Sequence, residues 1–173
     1  MKLADYIRDV PDFPKKGIVF KDITPLLKSS KGFARAVKGL AAAFRKAKVD
    51  YVAAVESRGF IFGAAVARKL KAGFIPLRKP GKLPYKTVSE TYTLEYGQDT
   101  IEVHEDACGK GDRVLIVDDL LATGGTLAAA RALIERLGAE VVGAAFVVEL
   151  DFLKGRERVS GLEIESLIHY GSE

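Results

Sequence analysis

Apolar residues recur along the chain in short continuous runs, and stretches with helical spacing separate these runs. Continuous runs of this kind are typical of strands that are buried on both faces of a parallel sheet. The runs occupy Tyr51–Val55, Gly73–Leu77 and residues 113–117, 141–148 and 164–168. The stretches that predict helices span residues 29–44, 59–70 and 124–136. The pattern therefore predicts an α/β fold with a mainly parallel sheet flanked by helices.

Three further regions complete the predicted organisation. Residues 3–10 have the spacing of a short opening helix, which Pro11 would end. Residues 91–96 and 101–104 alternate in polarity around Gly97, which predicts an antiparallel hairpin outside the parallel sheet. Residues 78–89 hold lysines, prolines and a glycine with little to bury, the composition of a mobile surface loop. We predict one domain over residues 1–173, with a flexible hairpin and lid at about residues 78–104.

Composition limits the class of protein. The chain has 173 residues, of which 48% are hydrophobic, enough for one soluble core. Its net charge of +4 is modest, which favours small anionic substrates over nucleic acid. The apolar runs are shorter than the roughly 20 residues of a membrane span, and residues 1–6 lack the apolar centre of a signal peptide. Because the chain also has a single cysteine, Cys108, we expect a cytoplasmic protein without nucleic-acid or membrane partners.

The run at residues 114–117 leads into the most informative segment, Asp-Asp-Leu-Leu-Ala-Thr-Gly-Gly-Thr at residues 118–126. Ligands of open α/β sheets bind at the carboxyl ends of the strands, where Asp118 and Asp119 are predicted to lie. Ionised carboxylates accept hydrogen bonds, so the pair suits the vicinal hydroxyls of a ribose or a divalent cation. The glycine turn that follows would direct backbone N–H groups and a helix N-terminus at an anion. The segment predicts a sugar-phosphate site.

Other interpretations of this segment explain less of it. Acids and glycines are common in plain connections, but here they follow a buried strand and precede a helix. A nucleotide hydrolase requires a loop ending in Gly-Lys-Ser or Gly-Lys-Thr, whereas Gly109-Lys110 is followed by Gly111. A phosphate-accepting receiver domain would carry its acids near the start of the chain and would leave the glycine turn unused.

A second candidate anion site lies at Glu56-Ser57-Arg58-Gly59, which follows another predicted strand and opens another predicted helix. Arg58 could form a forked pair with diphosphate oxygens, and the backbone N–H groups of residues 57–59 would face the same anion. Glu56 would orient this loop or bind Mg²⁺ through water. A structural ion pair is the alternative for Glu56 and Arg58.

These segments resemble the type I phosphoribosyltransferases. Residues 19–27, 56–60, 78–84 and 114–126 each match a family segment, in the family's order, and the similarity covers about residues 4–148. The resemblance implies the fold of that family, Mg²⁺ as cofactor, and 5-phosphoribosyl 1-diphosphate as substrate. The amino-acid sequence of the turn is similar to that in the family members that make AMP and diphosphate from adenine in purine salvage. Another purine base (hypoxanthine, guanine or xanthine) is the alternative.

The resemblance also implies roles for individual residues. Arg58, Lys79 and Lys82 would neutralise the departing diphosphate, and Arg78 would reach the diphosphate site of a neighbouring subunit, so we expect a homodimer. Glu56, Ser57 and Gly59 would complete the diphosphate loop, with Mg²⁺ held through diphosphate and water and no direct protein ligand. The residues that would hold the phosphorylated ribose are Asp118, Asp119, Ala122, Thr123, Gly124, Gly125 and Thr126.

For adenine, the resemblance implies a flat slot between Phe20 and Leu120. The main chain at Val19 and Lys21 would contact the amino edge of the purine. Glu95 would exchange a proton with the purine's imidazole ring, and Tyr96 would be an adjacent contact. A regulatory protein that binds the sugar diphosphate as a signal is the alternative from another class, but the residues before Val19 are too few for a winged-helix module.

Overall fold

The N-terminal residues form an antiparallel strand pair where the sequence predicts a helix. The computed structural model describes residues 2–93 and 97–172. A 3₁₀ helix, Leu3–Tyr6, leads into strand β1 (Arg8–Pro11), which pairs with β2 (Val19–Asp22). The predicted helix over residues 3–10 is therefore wrong beyond Tyr6. Pro11 leaves room for only two turns of helix, and pairing with β2 satisfies the backbone groups instead.

Asp22 ties this strand pair to the short helix α1 (Thr24–Lys28). Its carboxylate accepts hydrogen bonds from the Thr24 N–H (2.9 Å) and from Arg8 Nη2 (2.6 Å). The bond from the Thr24 backbone has the largest effect on the pKa of Asp22, and the bond from Arg8 has the next largest. Together they lower this pKa to about 2. The carboxylate thus fixes the start of α1 beside β2.

We expect Asp22 to make folding stability depend on acid pH. Because the pKa of Asp22 is lower in the folded protein than the ordinary 3.8, its contribution is complete above about pH 4 and is lost as the pH falls towards 2. Urea unfolding at pH 5 and at pH 2.5 should show a larger loss of unfolding free energy for the wild type than for Asp22→Asn. Equal losses in the two proteins would contradict this assignment.

The remaining elements alternate along the chain as the apolar pattern predicts. They are α2 (Ser30–Ala43), β3 (Tyr51–Val55), α3 (Gly59–Leu70), β4 (Gly73–Leu77), β5 (Thr87–Thr93), β6 (Gln98–His104), β7 (Arg113–Leu121), α4 (Gly125–Arg136), β8 (Glu140–Leu150) and β9 (Ile164–Tyr170). Five strands form a parallel sheet in the order β4-β3-β7-β8-β9. The predicted α/β class with a mainly parallel sheet is confirmed.

The sheet is covered on both faces, which explains its continuous apolar strands. One hydrophobic cluster joins strand residues such as Ile116 and Phe146 to Leu133 of α4. The other joins Val117 and neighbouring strand residues to Leu40 of α2 and side chains of α3. Both β-branched and aromatic residues are fully enclosed in these clusters. Since all five strands run in one direction, their carboxyl ends share one edge, where the predicted site segments also lie.

The antiparallel pair β5 and β6 lies outside this sheet, as predicted, but it begins earlier than predicted. Residues 87–89, which the sequence places in a surface loop, belong to β5 because they pair with β6 and because Arg136 Nη1 of α4 bonds the Ser89 carbonyl at 2.7 Å. The loop proper is residues 79–86. Its movement as a lid stays a prediction. Among the described residues, no helix combines the length and apolar character that crossing a bilayer requires.

Candidate functional site

A cavity of about 210 Å³ opens at the carboxyl edge of the sheet, between the end of β7 and the start of α4. One side of its lining is formed by Arg58 and by residues 118–126, the segment that the sequence singles out. Its apolar floor comes from Val55, Ile116, Leu127, Ala130 and Phe146. The structure thus gathers the two acids, the glycine turn and one residue of the second candidate anion site around a single space.

Asp118 and Asp119 lie inside strand β7, which runs four residues further than predicted because it pairs with β8 as far as Leu121. Asp119 is buried, and its Oδ2 lies 2.8 Å from Nε of Arg58. Asp118 Oδ1 accepts the N–H of Asp119 at 2.8 Å. Burial, together with the neighbouring Asp119 charge, raises the pKa of Asp118 well above its ordinary range. Hydroxyl donors of a bound sugar would favour the charged form again.

The turn after β7 has a shape that only glycine allows. Gly124 has φ of +81°, and a Cβ there would lie 2.3 Å from the carbonyl oxygen of Gly155. A Cβ on Gly155 would in turn lie 2.3 Å from the carbonyl oxygen of Ala122. The chain from Ala122 to Thr126 therefore wraps closely over Gly155 and then enters α4 at Gly125. The first N–H groups of α4 have no partner within the helix, and they belong to the segment where the sequence predicts a phosphate.

The second candidate anion site holds two ion pairs. Glu56 Oε1 lies 2.6 Å from Nη2 of Arg78, and this bond lowers the pKa of Glu56. Arg58 is bound to Asp119, and α3 begins at Gly59, where a Cβ would lie 2.4 Å from Oδ1 of Asp118. Ser57 Oγ faces the Gly59 N–H at 3.5 Å. The predicted diphosphate loop and the predicted ribose acids are therefore in direct contact.

Arg78 and Lys79 are engaged with their own chain. Besides Glu56, Arg78 bonds the Lys82 carbonyl through Nη1 at 2.8 Å, so a contact with a neighbouring subunit would require it to leave these partners. Lys79 forms an ion pair with Asp99, which also accepts the Tyr92 hydroxyl at 3.3 Å. Sequence reasoning missed Asp99 and Tyr92, which occupy ordinary alternating positions of a hairpin.

Tyr92 connects this hairpin to the glycine turn. Burial raises the pKa of its phenol. Its ring also lies against the start of α4, where a Cβ on Gly125 would be 3.4 Å from Cδ2 of Tyr92. Contacts therefore run from Lys79 through Asp99 and Tyr92 to Gly125 at the start of α4. The loop and the phosphate end of the cavity are joined through described side chains.

The residues predicted to hold the base lie beside Arg58. The Arg58 guanidinium is 5.0 Å from the centre of the Phe20 ring, and Leu120 lines the cavity. Val19 and Lys21 flank Phe20 on β2. The Lys21 side chain is buried and bound to Asp9 at 2.9 Å, which leaves its main chain as the part that could contact a base. Glu95 and Tyr96 lie outside the described residues.

The carboxylates of this site suit Mg²⁺, which prefers oxygen ligands and keeps several waters. Glu56 Oε2 is buried, and within residues 2–93 and 97–172 it has no hydrogen-bond partner. Asp118 and Asp119 supply further carboxylate oxygens in the cavity itself. The donor set therefore fits a magnesium ion held chiefly by diphosphate and water.

Comparisons with known proteins agree with this geometry. Residues 26–168 match the model of the phosphoribosyl transferase domain. A curated adenine phosphoribosyltransferase of Koribacter versatilis is 56% identical over 168 residues, which are 97% of this chain and 92% of that protein. A second one, from a Thermotoga species, is 55% identical over 98% of this chain and the whole of that protein.

Solved structures give the same result. The crystal structure of adenine phosphoribosyltransferase from Thermoanaerobacter pseudethanolicus is 54% identical, with a TM-score of 0.94 over 97% of this chain and 98% of that one. The Giardia lamblia enzyme, solved with 9-deazaadenine, is 39% identical, with a TM-score of 0.93 over 99% of both chains. The chain belongs to the phosphoribosyltransferase family, and within it to the adenine phosphoribosyltransferases.

Proposed function

We propose that this enzyme transfers the phosphoribosyl group of 5-phosphoribosyl 1-diphosphate to adenine, giving AMP and diphosphate in purine salvage. The observation that carries the proposal is the cavity at the end of β7, which places two carboxylates beside a glycine turn and a helix N-terminus. Carboxylates bind hydroxyls, and the N–H groups of such a turn bind phosphate. A sugar phosphate requires these two chemistries at adjacent positions.

In the reaction a nitrogen of adenine forms a bond to the anomeric carbon, and the bond from that carbon to diphosphate breaks. Positive charge develops on the sugar and negative charge on the leaving group. We infer that Asp118 and Asp119 hold the sugar hydroxyls, while the turn from Ala122 to Thr126 holds the 5-phosphate. The enzyme's contribution is to position the reacting atoms and to stabilise the separated charges.

The departing diphosphate would be held by Arg58, Lys79 and Lys82. Arg58 is within reach of this role because it immediately precedes α3 and its side chain binds Asp119. The chemistry that bound Mg²⁺ supplies is neutralisation of the charge on the diphosphate oxygens. Closure of residues 79–86 over the site would exclude water that could hydrolyse the activated sugar.

For the base, we propose a slot between Phe20 and Leu120 with main-chain contacts at Val19 and Lys21. The half-buried ring of Phe20 supports this role, since its face already packs against a flat cation, the Arg58 guanidinium. The relatives point to the same base, because the yeast enzyme (Saccharomyces cerevisiae) was solved with adenine and the Giardia enzyme with 9-deazaadenine.

The experiment that tests the function is a purine screen with labelled 5-phosphoribosyl 1-diphosphate and Mg²⁺. We expect conversion of adenine to AMP, with hypoxanthine, guanine and xanthine converted far more slowly. Conversion of a 6-oxopurine but not of adenine would overturn the substrate assignment. Omission of Mg²⁺, with a chelator present, is expected to stop the reaction.

Glu95→Gln is expected to slow turnover by about a hundredfold or more, because general acid-base groups contribute on that scale. It should also flatten one limb of the pH profile of kcat, since the amide cannot exchange the proton. Steady-state rates from pH 5 to 9 measure both effects. Glu105→Gln, directly after β6, is the control and should keep the wild-type profile. An unaltered profile in Glu95→Gln would rule out proton transfer by this residue.

Lys82→Ala is expected to lower kcat by about ten- to a hundredfold, the value of one charged hydrogen bond to the leaving group. The Kd for adenine should change by less than about twofold, since the base slot is formed by other residues. Lys86→Ala is the matched control, because Lys86 lies in the same loop and has an exposed side chain 4.0 Å from Glu105. Equal rates for Lys82→Ala and the wild type would make Lys82 a solvated surface residue.

We also propose that the enzyme is a cytoplasmic homodimer. The single cysteine supports a reducing compartment. The homodimer is what the family resemblance implies, since it assigns Arg78 to the diphosphate site of a neighbouring subunit. Sedimentation equilibrium measures the assembly, and a monomer at micromolar concentration would exclude a contribution of Arg78 to a neighbouring site.

A further inference from the structure

The segment between β8 and β9 lies directly beneath the glycine turn. It forms two 3₁₀ helices, Asp151–Leu153 and Gly155–Val159. Gly155 is buried, and its backbone lies so close to Ala122 and Gly124 that neither Gly124 nor Gly155 could carry a Cβ. Arg158 of the same segment reaches the start of α4, with Nη1 3.6 Å from where a Cβ of Gly125 would be. The position of the turn therefore depends on the position of this segment.

One ion pair holds the segment in place. Glu149, the penultimate residue of β8, is buried and binds Arg156 through both oxygens, at 2.6 Å to Nε and 2.7 Å to Nη2. Arg156 Nη1 also bonds the carbonyl of Ile164 at the start of β9, at 2.9 Å. Burial alone would raise the pKa of Glu149, but the bonds from Arg156 outweigh it and the pKa is lowered. Arg156, the residue that follows Gly155, is thus bound to both β8 and β9.

His169 holds the other end of the segment. Its ring nitrogens lie 2.9 Å from Oδ1 of Asp151 and 3.1 Å from the carbonyl oxygen of Ser166. Both partners are acceptors, so the ring makes both bonds only when it is protonated, in agreement with its raised pKa. Although Glu149, Asp151 and His169 could form a metal site by distance alone, both Glu149 oxygens are taken by Arg156. The group serves as an anchor.

We propose that Glu149 and Arg156 are positioning residues for the 5-phosphate of the substrate. The bidentate pair fixes Gly155, and Gly155 fixes the turn whose N–H groups bind the phosphate. The proposal rests on the proposed function, because it assigns the 5-phosphate to that turn. Among the described residues the pair does not line the cavity, so its effect reaches the substrate through the segment that holds Gly155 and Arg158.

The test uses Glu149→Gln and Arg156→Lys, which keep side-chain size or charge but lose the forked pair. The Kd values of AMP, ribose 5-phosphate and diphosphate are measured by calorimetry on the full-length protein. We expect the two 5-phosphate ligands to bind about tenfold more weakly, because a misplacement of about 1 Å has effects of this size or larger. Diphosphate, which would bind at residues 56–59, should change by less than about twofold.

The matched control is the pair Arg113 and Glu140, 2.6 Å apart at the opposite end of β7 and β8. Glu140→Gln and Arg113→Lys should leave all three Kd values unchanged. Leu40→Ala, in the core on the other face, controls for lowered stability and should not weaken 5-phosphate ligands selectively. Equal weakening of diphosphate, or wild-type binding in both test variants, would overturn the proposal.

Failure of the proposed function would give a different result. If the wild type bound ribose 5-phosphate but converted no adenine in the purine screen, the catalytic assignment would fail while the positioning role could still be measured. If Glu149→Gln does not fold, Arg156→Lys alone tests the proposal. Lysine keeps a positive charge opposite the buried carboxylate of Glu149, so this variant is expected to fold. A selective loss of 5-phosphate binding in Arg156→Lys supports the proposal, and its absence contradicts it.

Discussion

Replacing both Asp118 and Asp119 by asparagine is expected to abolish turnover and leave the fold intact. Each carboxylate would accept a hydroxyl of the ribose, and a charged hydrogen bond contributes about 1.5–3 kcal/mol. Two such bonds correspond to a loss of about 10²- to 10⁴-fold in kcat/KM for 5-phosphoribosyl 1-diphosphate. An amide retains the size of the carboxylate but supplies a donor where the hydroxyl needs an acceptor.

The double variant is expected to remain folded, with a thermal midpoint close to that of the wild type. Asp119 is buried and Asp118 is half-buried, and burial beside Asp119 raises the pKa of Asp118. Replacing both carboxylates by amides removes the repulsion between them, while Arg58 loses its charged partner Asp119 but keeps contact with solvent. Circular dichroism and the thermal midpoint measure the fold, and Asp106→Asn is an exposed control. Wild-type activity in the double variant would refute the ribose role.

Gly124→Ala is expected to have the second largest effect. Its φ of +81° disfavours any side chain, and the new Cβ would lie 2.3 Å from the Gly155 carbonyl oxygen, so the turn must open. We expect binding of 5-phosphate ligands to weaken by more than a hundredfold, since the N–H groups of the turn would be displaced. Calorimetry with ribose 5-phosphate measures this, and urea unfolding should show a loss of about 1–3 kcal/mol.

Gly161→Ala separates backbone strain from steric contact. Gly161 has a similar φ of +78°, but a Cβ there would meet nothing within 4 Å. This variant should lose stability through the backbone alone and keep wild-type affinity for ribose 5-phosphate. If it weakened binding as much as Gly124→Ala, the close approach of the turn to Gly155 would have no special role.

The apolar pattern predicted the parallel sheet because strands buried on both faces must be apolar throughout. Tyr51–Val55, Gly59–Leu70 and Gly73–Leu77 have the bounds that the pattern predicts. The N-terminal strands were missed because β1 and β2 have four residues each and depend on their mutual pairing. Similarly, β7 continues through Asp118 and Asp119 because β8 pairs beside it. Such long-range pairing leaves no local periodicity to detect.

Candidate site residues that are close in sequence were also easier to find. The acids and the glycine turn lie within residues 118–126, so this one segment is enough to predict a sugar-phosphate site. Asp99, Tyr92 and Gly155 reach the same site from distant parts of the chain, and each has an ordinary sequence context. A glycine within the charged residues 154–158 was the one available signal for Gly155, since lone glycines often mark close backbone approach.

Arg58 binds a ribose acid with its Nε and packs its guanidinium over the ring proposed to stack on adenine. A diphosphate that draws this side chain away from Asp119 also uncovers the face of Phe20. The first ligand to bind would then meet the free-energy cost of moving the guanidinium. Binding of either ligand would therefore raise the affinity for the other by the same factor. If Asp119 and Phe20 have the proposed roles, the affinities for the sugar and for the base should depend on each other through Arg58, and truncating that side chain should reduce the dependence.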